Sequence, residues 1–557
     1  MKAAFKGFTR FRLAHRTVLS QSAKSISTAG GNGYEEGRKW NSAQNIAISS
    51  AAATWLAYEV YERNKNRVFL KEAKNDEVAI EPGKFVDGLP SYTLDEVAKH
   101  ASVETRIWVT FKQGVYDITK FVTEHPGGEQ ILLAAGSSVE PFWMLYGVHK
   151  SNFVYEILES MRIGNLSEED AKEAIKDMSD PYHNDPKRHK ILKPASVKPF
   201  NAEPPSSILV DNFITPNDLF YVRNHLPVPE IDPETYELEI EFEGKTKTVI
   251  LSLDDIKKFP KHTVTMSIMC AGNRRTEMTK IKAVKGLGWG NAAIGNAQWT
   301  GAKLRDVLTA AGYDVDSDEY KHIHFEGLDT DPTSKPYGAS IPSWKGVDKR
   351  GEVILAYEMN GVPIPRDHGY PIRAIVPGVV GARNVKWLGR IFLSSEESDS
   401  HWQQNDYKGF SPSTDWDTVD FTKSPAIQEL PVISSICKPI ANQTVTVVDG
   451  HITVQGYAWS GGGMKIVRVD VTADGGDTWH VATFDGQDSN DPPQHWAWTL
   501  WTAKIPIPDG TENVELWAKA VDSNYNTQPE SFKNIWNLRG VLSNAYHRVP
   551  INLQREK

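Results

Sequence analysis

Apolar and polar positions alternate most clearly in the last quarter of the chain. Ile466, Val467, Val469 and Val471 interleave with polar residues, Asp474-Gly475-Gly476-Asp477 makes a turn, and Trp479, Val481 and Phe484 continue the alternation on a partner strand. Similar runs at Thr444 to Val448, His451 to Trp459 and Val514 to Val521 predict a sandwich of about seven strands over residues 426–557. Upstream, residues 206–425 mix short strands, the β-branched run Val264 to Met269 among them, with helical patterns such as Gly301 to Gly312, and read as α+β with many Gly and Pro turns. A smaller unit, residues 85–166, combines a strand at Arg106 to Phe111 with helical patterns at Leu94 to His100 and Pro141 to Leu145. The fold class is therefore a multidomain α+β chain ending in an immunoglobulin-like β-sandwich.

Residues 167–205 are dominated by charge, Pro and Ser, and read as a solvated hinge linker with an extended approach to the next unit. The first 34 residues carry Lys2, Lys6, Arg10, Arg12, Arg16 and Lys24 with no acidic residue before Glu35, the composition of a mitochondrial presequence. Trp40 to Tyr58 is a run of 19 uncharged residues, long enough to span a bilayer although only marginally hydrophobic. With the connector that follows, residues 35–84 read as a sorting or anchor segment, which would leave the remainder in the intermembrane space. A modest soluble helix is the alternative for the same run. The net charge of -9 argues against nucleic acid as a partner, and the two cysteines, Cys270 and Cys437, cannot make a disulfide framework.

The candidate chemistry centres on Ser267-Ile268-Met269-Cys270-Ala271-Gly272-Asn273-Arg274-Arg275. A thiol at a strand end beside two guanidinium groups is drawn toward the thiolate, and two arginines there suit a tetrahedral oxyanion. No histidine base lies close in sequence, so a metal thiolate facing an anionic substrate fits better than a cysteine nucleophile. In the smaller unit, His125-Pro126-Gly127-Gly128 sits in a loop and His149 follows a helical stretch. Two imidazoles on opposing loop-helix units can clamp a planar metallomacrocycle, each with its other ring nitrogen donating to a backbone carbonyl.

The run from Tyr116 to Gly128 resembles the cytochrome b5 family, which implies haem b with His125 and His149 as axial ligands. The stretch Cys270 to Arg275 resembles the eukaryotic molybdenum enzymes of the sulfite oxidase and nitrate reductase group. So do Tyr221-Val222-Arg223-Asn224-His225, Phe325 to Asp329, Arg366 to Arg373, Gly381 to Lys386, Gly456 to Gly463 and Trp536 to Gly540. The combination is similar to the animal-type sulfite oxidase family. That resemblance implies a molybdenum-molybdopterin cofactor with Cys270 as the metal's thiolate ligand. It also implies that Tyr221, Val222, Arg223, Asn224, His225, Asp329, His368, Arg373, Asn384, Val385 and Lys386 hold the cofactor. Arg223, Arg275, Trp289, Tyr407 and Arg539 match the family's anion pocket.

The implied activity is oxidation of sulfite to sulfate by oxygen-atom transfer, with electrons leaving through the haem to cytochrome c, in a homodimer joined through the sandwich. A nitrate reductase-like activity is the alternative among enzymes. It is disfavoured because there the haem unit follows the molybdenum unit, and because no Gly-rich dinucleotide loop occurs in this chain. A membrane-anchored haem electron carrier with a scaffolding C-terminal part is the rival of a different class.

Overall fold

The computed structural model describes residues 81–125, 128–146, 149–171, 180–486 and 495–555. The presequence and the Trp40 to Tyr58 run lie outside the described residues, and no helix among the described residues is long and apolar enough to cross a membrane.

The smaller unit is built on a five-stranded sheet in the order Ser91–Tyr92, Arg162–Leu166, Gly114–Asp117, Arg106–Phe111 and Ala101–Ser102. Every residue of Arg106–Phe111 after Arg106 is buried: Ile107, Val109 and Phe111 pack with Val139 and Leu158, and Trp108 packs with Val97 and Leu166. The helices Leu94–Ala98 and Glu140–Leu145 fall where the periodicity predicts them.

Residues 206–425 hold two larger sheets. One runs Val249–Ser252, Glu237–Phe242, Leu388–Ser394, His322–Thr330, Pro336–Pro342. The other pairs Lys261–Met269, Ile294–Lys303 and Ile354–Met359, with Arg373–Ile375 paired to the last of these. The predicted helix at Gly301 is corrected: Ile294–Lys303 is strand and the helix is Leu304–Ala310. A bulge at Thr300/Gly301 brings two backbones together, and a Cβ on Gly301 would stand 2.0 Å from the Leu355 carbonyl oxygen.

The solvated linker is also revised. Lys193–Ser196 and Asn201–Glu203 form a three-stranded sheet with Val222–Arg223, and Asn201 and Ala202 are buried. The charged and Pro-rich composition hides this, because the buried side chains on these strands are small or amide-bearing rather than large and apolar.

The C-terminal residues form two sheets of four and five strands, nine among the described residues rather than about seven. The strand after the Asp474 turn divides between them. His480–Val481 pairs with Ile466–Thr472 in one sheet, and Thr483–Phe484 pairs with Thr499–Pro506 in the other. This crossing reverses the expected phase: Val481 is exposed and Ala482 is buried.

Candidate active site

The site gathers where Lys261–Met269 ends. Cys270 follows directly, is buried, and its Sγ accepts the Gly272 backbone N–H at 3.5 Å. Tyr221, Arg223, His225, Asp329, His368, Arg373, Asn384, Val385, Lys386 and Tyr407 line one cavity with it. Ten positions scattered over some 190 residues are thus brought together around the thiol. Tyr337 and Asp367 line the cavity as well and carry no assignment from the sequence. Tyr337 stacks on His225 at 4.5 Å between ring centres, a contact that no local motif signals.

Val222 and Asn224 flank this cavity. The Val222 side chain packs instead with Leu192 and Ala202, as strand alternation demands beside Arg223. Asn224 donates to Asp367 Oδ1 at 3.1 Å and accepts from the Lys386 ammonium, which also donates to the Asp367 carbonyl at 2.8 Å. Arg188, from the supposed linker, grips Asp367 with two bonds of 2.8 and 2.9 Å.

Burial dominates the electrostatics. It lowers the Lys386 ammonium to a pKa of about 7, raises the Asp329 carboxyl to about 8 and lowers His368 to about 4. Oδ1 of Asp329 and Nε of Arg373 are buried without a hydrogen-bond partner among the described residues. The other Arg373 nitrogens donate to the carbonyls of His368 at 2.9 Å and Asn384 at 2.8 Å, which fixes the guanidinium in place. Buried polar groups left open beside a soft thiol and several cations suit an anionic, hydrogen-bonding cofactor that presents a metal to Cys270.

Around this cavity stand Arg275, Trp289 and Arg539. Arg275 is anchored by bonds to the carbonyls of Gly540 at 3.0 Å and Leu287 at 2.9 Å, and its guanidinium would be struck by a Cβ on Gly272 or Gly286 at 2.6 to 2.8 Å. Trp289 is wholly buried, edge-on to Tyr221, and its Nε1 has no hydrogen-bond partner among the described residues. Arg539 forms an ion pair with Asp406, and its pKa falls to about 10 through burial and then the charges of Arg275 and Arg223. Three guanidiniums therefore act on one another near Cys270.

Arg274 does not join them, which corrects the reading of the two arginines as one oxyanion site. It sits in the left-handed region at φ 65°, wholly buried. Its guanidinium pairs with Glu277 at 2.7 and 2.8 Å and donates to the carbonyls of Ser434, Ala545 and Tyr546, tying this turn to the C-terminal sheets.

In the smaller unit the His125 and His149 rings face each other with centres 6.2 Å apart and planes parallel within 1°. That separation leaves room for one metal ion at bonds of about 2 Å to each ring. Nδ1 of His149 lies 3.0 Å from the Tyr146 carbonyl, fixing the tautomer that frees Nε2 as ligand. Gln130 of this unit bonds to His401 at 3.1 Å, and Tyr146 packs against the core of the larger unit.

Three family models match the chain. The oxidoreductase molybdopterin binding domain matches residues 225–402, the Mo-co oxidoreductase dimerisation domain residues 424–554, and the cytochrome b5-like haem/steroid binding domain residues 93–167. A mitochondrial sulfite oxidase from Drosophila melanogaster is 61% identical over 84% of this chain and 81% of its own. The chain belongs to the sulfite oxidase family. A nitrate reductase [NADH] from Phaseolus vulgaris is more distant, 37% identical over 64% of this chain and only 41% of its own. Among solved structures, the sulfane dehydrogenase SoxCD from Paracoccus pantotrophus superposes with a TM-score of 0.52 at 26% identity, over 66% of this chain and 86% of that one. Membership of the sulfite oxidase family accounts for both the residues around Cys270 and the facing pair His125 and His149.

Proposed function

We propose that the chain oxidises sulfite to sulfate at the Cys270 cavity and passes the electrons out through the His125/His149 unit. One observation carries this: the buried Cys270 thiol shares its cavity with Arg223, with Arg275 beside it and Arg539 repelling both guanidiniums, in a chain 61% identical to a sulfite oxidase. Its cofactors are molybdenum-molybdopterin and haem b.

Molybdenum, when bound, supplies two-electron oxygen-atom transfer, and the haem, when bound, carries electrons singly. Cys270 is assigned as the molybdenum's thiolate ligand. Asp329, His368, Arg373, Lys386 and the 221–225 and 384–386 segments hold the pterin and its phosphate. Arg223, Arg275 and Arg539 bind the dianion by planar, paired hydrogen bonds that a lysine could not reproduce. Tyr407 donates a further bond, and Trp289 closes the pocket wall and keeps water out. Arg223, Arg275 and Arg539 thereby orient the anion while their charge offsets its desolvation.

The chain forms homodimers. We assign residues 85–166 to the haem domain, 206–425 to the molybdopterin domain and 426–557 to an immunoglobulin-like dimerisation sandwich. The protein is mitochondrial, and the basic N-terminal 34 residues with the Trp40 to Tyr58 run favour the intermembrane space, with that run proposed as an inner-membrane anchor. Cytochrome c is the proposed acceptor.

The test is steady-state turnover of purified holoprotein with sulfite and ferricytochrome c. Sulfite-dependent, saturable cytochrome c reduction is expected, and nitrate with a reduced dye should give none. Nitrate turnover without sulfite turnover would instead support the nitrate reductase reading, and no turnover with either, in protein lacking molybdenum, the carrier reading.

A further inference from the structure

Arg223 enters the anion pocket from the Val222–Arg223 strand, whose neighbour is the short Asn201–Glu203 strand. Asn201 is 1% exposed and all four of its side-chain bonding positions are used. Its Oδ1 accepts from Arg223 Nη1 at 3.1 Å and from the Asn224 backbone N–H at 2.9 Å. Its Nδ2 donates to Ser196 Oγ at 2.9 Å and to the Pro199 carbonyl at 3.0 Å. The same Nη1 of Arg223 also donates to its neighbour's carbonyl, Asn224 O, at 2.6 Å.

Two residues on, and so on the same face of the strand, Glu203 accepts the backbone N–H groups of Gly290 at 2.6 Å and Ala292 at 2.9 Å. The strand is thus pinned to the loop that carries Trp289. One edge of the Arg223 guanidinium is held between two neutral oxygens on a fixed support. An amide is the side chain suited to this task, because it accepts from a guanidinium without cancelling the charge that the anion needs; an aspartate would neutralise it.

Resting on the assignment of Arg223 to the sulfite pocket, we infer that Asn201 is a positioning residue that sets the Arg223 guanidinium for the anion. The end of the inter-unit segment is then part of the substrate-binding apparatus.

Sulfate titrated calorimetrically into oxidised holoprotein tests this, with molybdenum content and thermal midpoint measured alongside. N201A should weaken sulfate roughly tenfold, the scale of one hydrogen bond to a charged group, with molybdenum content kept. In an R223M background N201A should change the sulfate Kd no further, because it acts through Arg223. An unchanged Kd in N201A, or the same fold loss in the R223M background, would overturn the proposal. Equal binding by wild type and R223M would overturn the placement of Arg223 itself, and the proposal with it. Should N201A not fold, S196A removes a support of the Asn201 amide without touching the strand pairing. A two- to threefold rise in the sulfate Kd is then expected, on the scale of a neutral hydrogen bond, and an unchanged one rejects the proposal.

Discussion

The Tyr407 hydroxyl lies 2.7 Å from Nε2 of His225. Burial, reinforced by Arg223 and Lys386, holds the His225 pKa well below its usual range, and burial likewise raises the Tyr407 phenol. The ring is therefore the neutral acceptor and the phenol the donor. If Tyr407 binds substrate as proposed, an arriving anion competes with His225 for the same proton, and the phenol turns a bond it already makes. Y407F should lower kcat/KM for sulfite about tenfold, the scale of a hydrogen bond to a charged group, with molybdenum content unchanged. Steady-state kinetics with metal analysis read this directly, and an unchanged kcat/KM would remove Tyr407 from the pocket.

Gly540 adopts φ 60°, and a Cβ there would stand 2.6 Å from Val284 and 2.7 Å from Arg275 Cγ. Its carbonyl also holds the Arg275 Nε. G540A combines strain at positive φ with a displaced guanidinium. It should lower stability by about 1 kcal/mol or more and raise the sulfite KM more than it lowers kcat. Thermal melting and the KM-to-kcat comparison separate the two effects; a loss of stability with KM unchanged would mean that Arg275 does not bind the substrate.

His547 accepts the Ile436 backbone N–H at 2.9 Å through Nδ1, so the folded state requires a neutral ring. Burial, reinforced by Arg274 and Lys280 and opposed by Glu277, lowers its pKa from 6.5 to about 4. The unfolded chain binds this proton at higher pH than the native one does. The stabilisation is therefore complete above about pH 6.5 and is lost as pH falls toward about 4, at up to about 1.4 kcal/mol per pH unit for this group. H547Q, whose amide oxygen can accept the same bond, should flatten denaturant-derived stability between pH 6.5 and 4. A slope equal to wild type would refute this.

Much of this architecture is written in local periodicity, which is why the Arg106–Phe111, His451–Trp459 and Asn513–Asp522 strands lie close to where their patterns put them. What periodicity cannot encode is which way consecutive side chains leave an irregular turn. Arg274 and Arg275 are neighbours of identical chemistry. The left-handed backbone at Arg274 sends one to the C-terminal sheets and the other toward Cys270. Asn201, Arg188 and Asp367 were equally illegible, because their roles depend on partners up to 179 residues away. Apart from Cys270, the cavity residues could be named only through motif resemblance; nothing in the spacing of Asp329, His368 and Tyr407 announces that they share one cavity.

The central claim is that the Cys270 cavity takes two electrons from sulfite and that they reach the His125/His149 haem. Anaerobic titration of oxidised holoprotein with limiting sulfite, following the haem absorbance, tests it most directly. The account predicts haem reduction in wild type with sulfate formed stoichiometrically, and none in C270S of unchanged haem content. Haem reduction that persists undiminished in C270S, or a wild-type haem that sulfite leaves oxidised, would contradict it.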